Sequence, residues 1–169
     1  AGVYHLRSMW PLVEVSREFD WTLISPSIFG AMFQGVMDQE SRRALGAHYT
    51  SQENILKVIR PLFLDALYDE FEKRKSTTRE LRAFQDKLAS LHFLDPACGS
   101  GNFLIVTYQE LRKLEFEVLK LLHESHQMAL VDTLVKVKPG QFYGIEIEDF
   151  PCQVAQLSIL LMKHLMDRD

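Results

Sequence analysis

The residues Asp95-Pro96-Ala97-Cys98-Gly99-Ser100-Gly101-Asn102-Phe103 combine one carboxylate with two closely spaced glycines. Apolar residues precede them from Leu91, and apolar residues at helical spacing follow them, so they read as the turn between a strand and a helix. Glycine at such a turn lets backbone approach a ligand where a Cβ would collide, and the helix N-terminal amides face the same point. Strand and Gly-x-Gly alone are shared by dinucleotide enzymes and by many structural turns. The dinucleotide fingerprint needs a third glycine where this chain has Leu104, so that reading fails. Asp95 has no role against a pyrophosphate and suits a cationic ligand. A second acid closes a second strand-like run in Gly144-Ile145-Glu146-Ile147-Glu148, where a plain exposed acid is the simplest reading taken alone. A third segment, Gly46-Ala47-His48-Tyr49-Thr50-Ser51, leads into a helix, with Thr50 and Glu53 at capping-box spacing. His48 has no visible partner for a base or ligand role, and Tyr49 reads as packing. Ser100 lacks the Gly-x-Ser-x-Gly context of a hydrolase nucleophile.

The elements that must position these residues follow from periodicity. The first twenty residues, with Trp10, Pro11 and Asp20, show no clean period. From Ser25-Pro26 an amphipathic helix is expected through Ile28, Phe29, Met32, Phe33, Val36 and Met37, ending near Asp38. Behind Thr50 a helix carries Ile55, Val58, Ile59, Leu62, Phe63, Ala66 and Leu67 on one face, and Pro61 should kink or split it. Residues 72–87 hold six basic and three acidic side chains, read as a solvated helical connection in preference to a phosphate-contacting patch. A strand over 91–95 leads through the glycine turn to a helix carrying Phe103, Leu104, Val106, Leu111, Leu114 and Val118. A helical stretch over 124–135 ends at Pro139-Gly140. A second strand over 141–147 precedes a helix from Pro151 to Leu165 with Val154, Leu157, Leu160 and Leu161. Strand, glycine turn, helix and strand outline a nucleotide-type α/β unit.

Asp-Pro-Ala-Cys-Gly-Ser-Gly-Asn-Phe resembles motif I of S-adenosylmethionine-dependent DNA adenine methyltransferases almost letter for letter. Gly144-Ile145-Glu146-Ile147 resembles motif II of that family, and Gly46-Ala47-His48-Tyr49-Thr50-Ser51 resembles motif X, placed before motif I. With Asp20-Trp21 and Ile24-Ser25-Pro26-Ser27-Ile28-Phe29-Gly30 upstream, the chain from about residue 20 is similar to the MmeI-like group of restriction-modification methyltransferases. The resemblance implies S-adenosyl-L-methionine as cofactor. It implies Asp95, Ala97, Gly99 and Gly101 against the methionine part and Glu146 at the ribose hydroxyls, with Asn102 and Ile147 also among the cofactor-binding residues. Tyr49 and Thr50 would close over the cofactor, with the Thr50 hydroxyl and the amides behind it facing the methionine carboxylate, or with Thr50 a purely structural cap. The family's motif IV, Asn/Asp/Ser-Pro-Pro followed by an aromatic residue, holds the amino group of a flipped-out base and is absent from this sequence. The chain is therefore expected to be a fragment that stops before the base pocket, with no catalytic residue of its own. Cytosine-ring methylation uses a cysteine of a separate Pro-Cys loop, whereas Cys98 lies inside the cofactor turn, where a small buried residue is wanted.

With 169 residues, 47% of them hydrophobic, the chain can bury one core. A net charge of −4 argues against a chain whose main task is to coat phosphate, so DNA contact must be local or supplied elsewhere. Two separated cysteines, Cys98 and Cys152, give neither a disulfide framework nor a zinc signature and fit a cytoplasmic protein; no run is long enough to span a membrane. The expectation is an α/β, partial Rossmann-like methyltransferase fold with a parallel sheet missing its later strands. A helical N-terminal extension would occupy 1–44 and the cofactor-binding part 45–169. The implied partners of the full-length protein are double-stranded DNA, a target-recognition domain and an endonuclease domain in the same or an associated chain. The competing readings are an RNA or protein amino-methyltransferase, and a non-catalytic DNA- or protein-interaction module of the same fold.

Overall fold

The computed structural model describes residues 50–124 and 135–167. The expected helix over 25–38, residue Tyr49 and all of the 124–135 stretch but its two ends lie outside the described residues. Helix α1 (Gln52–Ile59) is capped by Ser51, whose Oγ accepts the Asn54 amide at 3.4 Å and whose carbonyl takes the Ile55 amide at 3.0 Å. The cap expected at Thr50 is thus one residue later. Two hydroxyl residues stand side by side, and only Ser51 lies three residues before the amide that is capped. Glu53 consequently sits inside the first turn, where it pairs with Lys57 at 2.8 Å instead of reaching back.

Pro61, expected to kink or split the helix, instead sits in a widened turn between two α-helical stretches. Arg60–Leu64 is a π-helical turn, with the Asp65 amide bonded to the Arg60 carbonyl, and α2 (Asp65–Arg74) continues from it. The wide turn accommodates a residue without an N–H and inserts one extra position into the helical register. The inner stripe therefore runs Ile55, Ile59, Leu64, Leu67 and Phe71, all buried, while Leu62, expected on that face, is 73% exposed. Val58 and Ala66 are exposed as well. The basic stretch is less of a connection than expected: α3 (Thr78–Ser90) starts at a Thr77 cap bonded to the Glu80 amide at 3.3 Å and buries Leu81, Phe84 and Leu88. Arg74 pairs with Glu70 at 2.9 Å, Lys75 with Glu72 at 2.5 Å, and Lys87 with Glu70.

Strand β1 (Phe93–Asp95) runs parallel to β2 (Phe142–Gly144), with Phe93 opposite Phe142 and Asp95 opposite Gly144. Both are shorter than the apolar runs that announced them. At one end Leu91 closes α3, its amide on the Leu88 carbonyl, while Gln141 belongs to a 3-10 turn (Pro139–Gln141). The Gln141 side chain joins these pieces: its amide donates to the Leu88 and Leu91 carbonyls at 2.8 and 2.9 Å, and its oxygen accepts the Lys138 amide at 2.8 Å. One sheet face is aromatic and covered, Phe93 stacking on Phe142 with 5.3 Å between centroids and Tyr108 edge-on to Phe142. On the other face Leu94 and Tyr143 are exposed.

Between the strands runs α4 (Asn102–Glu124), the crossover helix, with Tyr108, Leu111, Leu114 and Val118 fully buried. Helix α5 (Asp149–Met166) packs along it, burying Ser158 and Met162. Strand, turn, crossover helix, parallel strand and helix make part of a Rossmann-like unit. Within its core lies the fully buried carboxylate of Glu115, which accepts from Gln85 Nε2 at 2.9 Å and from the Lys136 and Val137 amides at 2.7 and 3.2 Å. Arg112, 3.7 Å from Glu115, also bonds Tyr108 Oη, Asp167 and the Met166 carbonyl. These bonds fix the chain that leads into β2, and with it the end of the site.

Candidate cofactor site

The turn after β1 is built by its own hydrogen bonds. The Asp95 carboxylate accepts the Ala97 amide at 3.1 Å, an Asx turn that reverses the chain at Pro96. The Gly101 amide then donates to the Cys98 carbonyl at 2.8 Å, and the Gly101 carbonyl accepts the Ile105 amide at 2.9 Å, so Gly101 is where α4 begins. Gly99 and Gly101 have φ of +53° and +82°, the two positive values among the described residues. At Gly99 an added Cβ would meet nothing within 4 Å, so the glycine serves the backbone conformation and leaves an open surface beside it. Gly101 serves packing too: a Cβ there would stand 2.8 Å from Ala155 Cβ, which lets α5 lie close against the start of α4.

The second strand meets this turn. Beyond Gly144 the ladder continues as Ile145 N to Asp95 O at 2.9 Å and Cys98 N to Ile145 O at 3.0 Å. Glu146 therefore stands beside the glycine turn, on the neighbouring strand's extension. Its Oε1 accepts the Ile147 and Glu148 amides at 2.7 and 3.0 Å, which holds the carboxylate just before α5. Burial raises the Cys98 thiol to about 11, and the charges of Asp95 and Glu146 push the same way. Its neutral form is the stable one, against a nucleophilic role for this cysteine.

Of the residues expected at the site, Asp95, Ala97, Gly99, Gly101, Asn102 and Glu146 come together around this turn. Asn102, at the first position of α4, is 93% buried, and its Oδ1 is without a hydrogen-bond partner. Ile147 follows Glu146 but is 93% exposed. Thr50 is half-buried ahead of α1, no longer the cap, and Tyr49 lies outside the described residues. Sequence reasoning passed over Gly144 and Ala155. The signal at Gly144 was a glycine closing a strand where a larger residue would pair better; that at Ala155 was a small residue in an otherwise bulky apolar helix. No group of three or more His, Cys, Asp or Glu among the described residues could hold a metal, and no helix among them is long and apolar enough to cross a membrane.

Known proteins share this arrangement. DNA methyltransferase A of Bacillus subtilis is 45% identical over 94% of this chain and 18% of its own length. A putative type II restriction enzyme and methyltransferase of Methanocaldococcus jannaschii is 27% identical over 82% of this chain and 14% of its own. The solved type IIL restriction-modification enzyme MmeI, in complex with DNA, superposes with a TM-score of 0.83 at 55% identity, covering 89% of this chain and 20% of that one. The chain thus spans a fifth or less of the length of these relatives. Residues 71–169, more than half of the chain and including the glycine turn and both strands, match the family described as MmeI, DNA-methyltransferase domain, and to that family the chain belongs.

Proposed function

We propose that this chain is the S-adenosyl-L-methionine-binding part of a site-specific DNA methyltransferase that methylates adenine N6 within a restriction-modification system. The observation that carries the reading is the pair of carboxylates, Asp95 at the end of β1 and Glu146 just beyond the end of the parallel β2, beside a glycine turn with an open flank at Gly99. The donor set fits the group. Asp95 offers charge to the methionine ammonium, Glu146 accepts from the ribose hydroxyls, Gly99 lets the ligand reach backbone, and the unpaired Oδ1 of Asn102 awaits a donor. Thr50, with Tyr49 before it and Ile147 after Glu146, would complete the enclosure, Thr50 facing the methionine carboxylate.

When bound, the cofactor supplies an electrophilic methyl group on a sulfonium. This chain's residues contribute orientation: two fixed acids hold the ligand's amino-acid end and its ribose, on either side of the sulfonium, so that its methyl group points in one direction. By this reading the chain, with 1–44 as a helical extension ahead of the binding part from 45, binds cofactor and does not itself methylate. Base pocket, target recognition and any endonuclease domain belong to the remainder of a longer cytoplasmic protein whose partner is double-stranded DNA. The DNA complex of MmeI supports that partner.

Titration calorimetry with S-adenosylmethionine, S-adenosylhomocysteine and, as control, NAD tests the proposal. Selective binding of the first two is expected. A folded chain that binds none of them, or prefers NAD, would overturn it and favour the interaction-module reading.

A further inference from the structure

Asp95 ends β1 and Glu146 lies two residues past β2, so their separation depends on what packs between the turn after β1 and the end of β2. That spacer is the Cys98 side chain. A Cβ built on Gly144 would fall 2.5 Å from Cys98 Sγ and 3.0 Å from Cys98 Cβ, so the cysteine rests directly on the backbone of the last residue of β2. Leu104 Cδ1, 3.3 Å from the same point, closes another side. Two backbone bonds flank the contact, Ile145 N to Asp95 O and Cys98 N to Ile145 O. Asp95 precedes Cys98 by one turn of chain and Glu146 follows Gly144 almost directly, so both acids are tied to this one contact.

We propose, on the reading of the turn as an S-adenosylmethionine site, that Cys98 and Gly144 form a size-matched pair that sets the spacing between the ligand's methionine end at Asp95 and its ribose end at Glu146. Cys98 is then a positioning residue for the methyl donor. A side chain at 144 would wedge the turn away from β2, because the Cys98 backbone is held by its bond to Ile145, and its Cβ, 3.0 Å from the added carbon, stays there whichever way the sulfur turns. Removing the sulfur would let the turn settle inward. Either change alters the distance between the acids and leaves each acid's own bonds in place.

Spacing matters only to a ligand that spans both acids, which gives a readout that general damage to the fold would not reproduce. Calorimetry on the whole chain would compare S-adenosylmethionine with 5′-methylthioadenosine, which keeps the ribose and lacks the amino-acid end. Gly144→Ala is expected to weaken S-adenosylmethionine about tenfold or more while changing methylthioadenosine by less than about twofold. Adding Cys98→Ala to Gly144→Ala should recover part of the loss, because the 2.5 Å contact is removed and the 3.0 Å one remains. Should Gly144→Ala fail to fold, Cys98→Ala alone is expected to weaken S-adenosylmethionine several-fold and spare methylthioadenosine. Equal losses for the two ligands, or unchanged affinity for both, would overturn the spacer. Failure of the unsubstituted chain to bind either ligand would overturn the cofactor reading instead.

Discussion

Glu146 already accepts two backbone amides through Oε1, so its substitution separates two effects. Glu146→Ala removes the turn's acceptor together with the ribose contact and is expected to weaken S-adenosylmethionine by about 1.5–3 kcal/mol, the range for a charge-assisted hydrogen bond. Glu146→Gln keeps an acceptor for the amides and loses the charge, so its loss should be smaller. Equal affinity of wild type and Glu146→Ala by calorimetry would sink the ribose role. Cys98 makes a second, independent expectation. With its thiol raised to about 11, alkylation by iodoacetamide should keep accelerating well above pH 9, read by mass mapping so that Cys152 is counted separately. A plateau near pH 9 would contradict the burial. Because the folded value is raised, the thiol's contribution to stability is complete below its ordinary value and is lost as pH rises from there through about 11. The residues of the turn were legible in the sequence because the conformation dictates their type, glycine at positive φ and an acid at a strand end. The contact of Cys98 with Gly144 was not, since it joins the turn after β1 to the end of β2 and depends on register that periodicity does not specify.

Between elements, Gly101 marks a close approach of α5 to the start of α4 that a substitution can probe. Gly101→Ala would force a Cβ to 2.8 Å from Ala155 Cβ at a φ of +82°, and should cost about 2–4 kcal/mol in denaturant unfolding, overpacking and left-handed strain together. Measured against Ala155→Gly alone, which carries the cost of a glycine inside a helix, adding Gly101→Ala should cost less than it does in the wild type, because the 2.8 Å contact is gone while the 3.2 Å approach to Ala155 Cα and the strain remain. If Gly101→Ala costs as much in that background as in the wild type, α5 does not seat on the turn as described. Gly99→Ala, with open space at its Cβ, should lose only the strain, about 1–2 kcal/mol. At this scale the sequence announced Pro61 as a disturbance without saying what kind. The π turn absorbs the missing amide and adds one position, which turned Leu62 outward and Leu64 inward. The cap moved from Thr50 to Ser51 for a similar reason: adjacent hydroxyls satisfy a spacing rule almost equally, and the backbone decides between them. Strand ends were overestimated because apolar residues such as Leu91 and Ile147 continue past the hydrogen-bonded ladder.

For the molecule as a whole, the buried cluster around Arg112 decides whether the second strand is held in place. Arg112 bridges Tyr108 and Glu115 on its own helix to Asp167 and the Met166 carbonyl at the end of α5. Glu115 in turn holds α3 through Gln85 and the chain entering β2 through the Lys136 and Val137 amides. Nothing in the helical pattern marked these two residues as interior, since charged side chains at helical spacing ordinarily face water. Removing one member of a buried pair leaves the other charge uncompensated, so Arg112→Met should cost roughly 3 kcal/mol or more despite its apolar fit. Burial pushes the Asp167 carboxyl up, but hydrogen bonds from Lys163 and Arg112 outweigh it and hold the carboxyl below its ordinary value. A lowered carboxylate stabilises the fold above its unfolded value, and that contribution disappears as pH falls through the folded one. Denaturant midpoints should therefore fall as pH drops below the ordinary carboxylate range, and Asp167→Asn should flatten that fall while lowering stability at neutral pH. A variant with the wild-type acid slope would show that Asp167 is not coupled to the cluster. An unchanged slope together with full neutral stability would mean that the α5 terminus is held by packing alone, and the seating of α5 on the helix that follows the glycine turn would then rest on its buried residues Pro151, Ser158 and Met162.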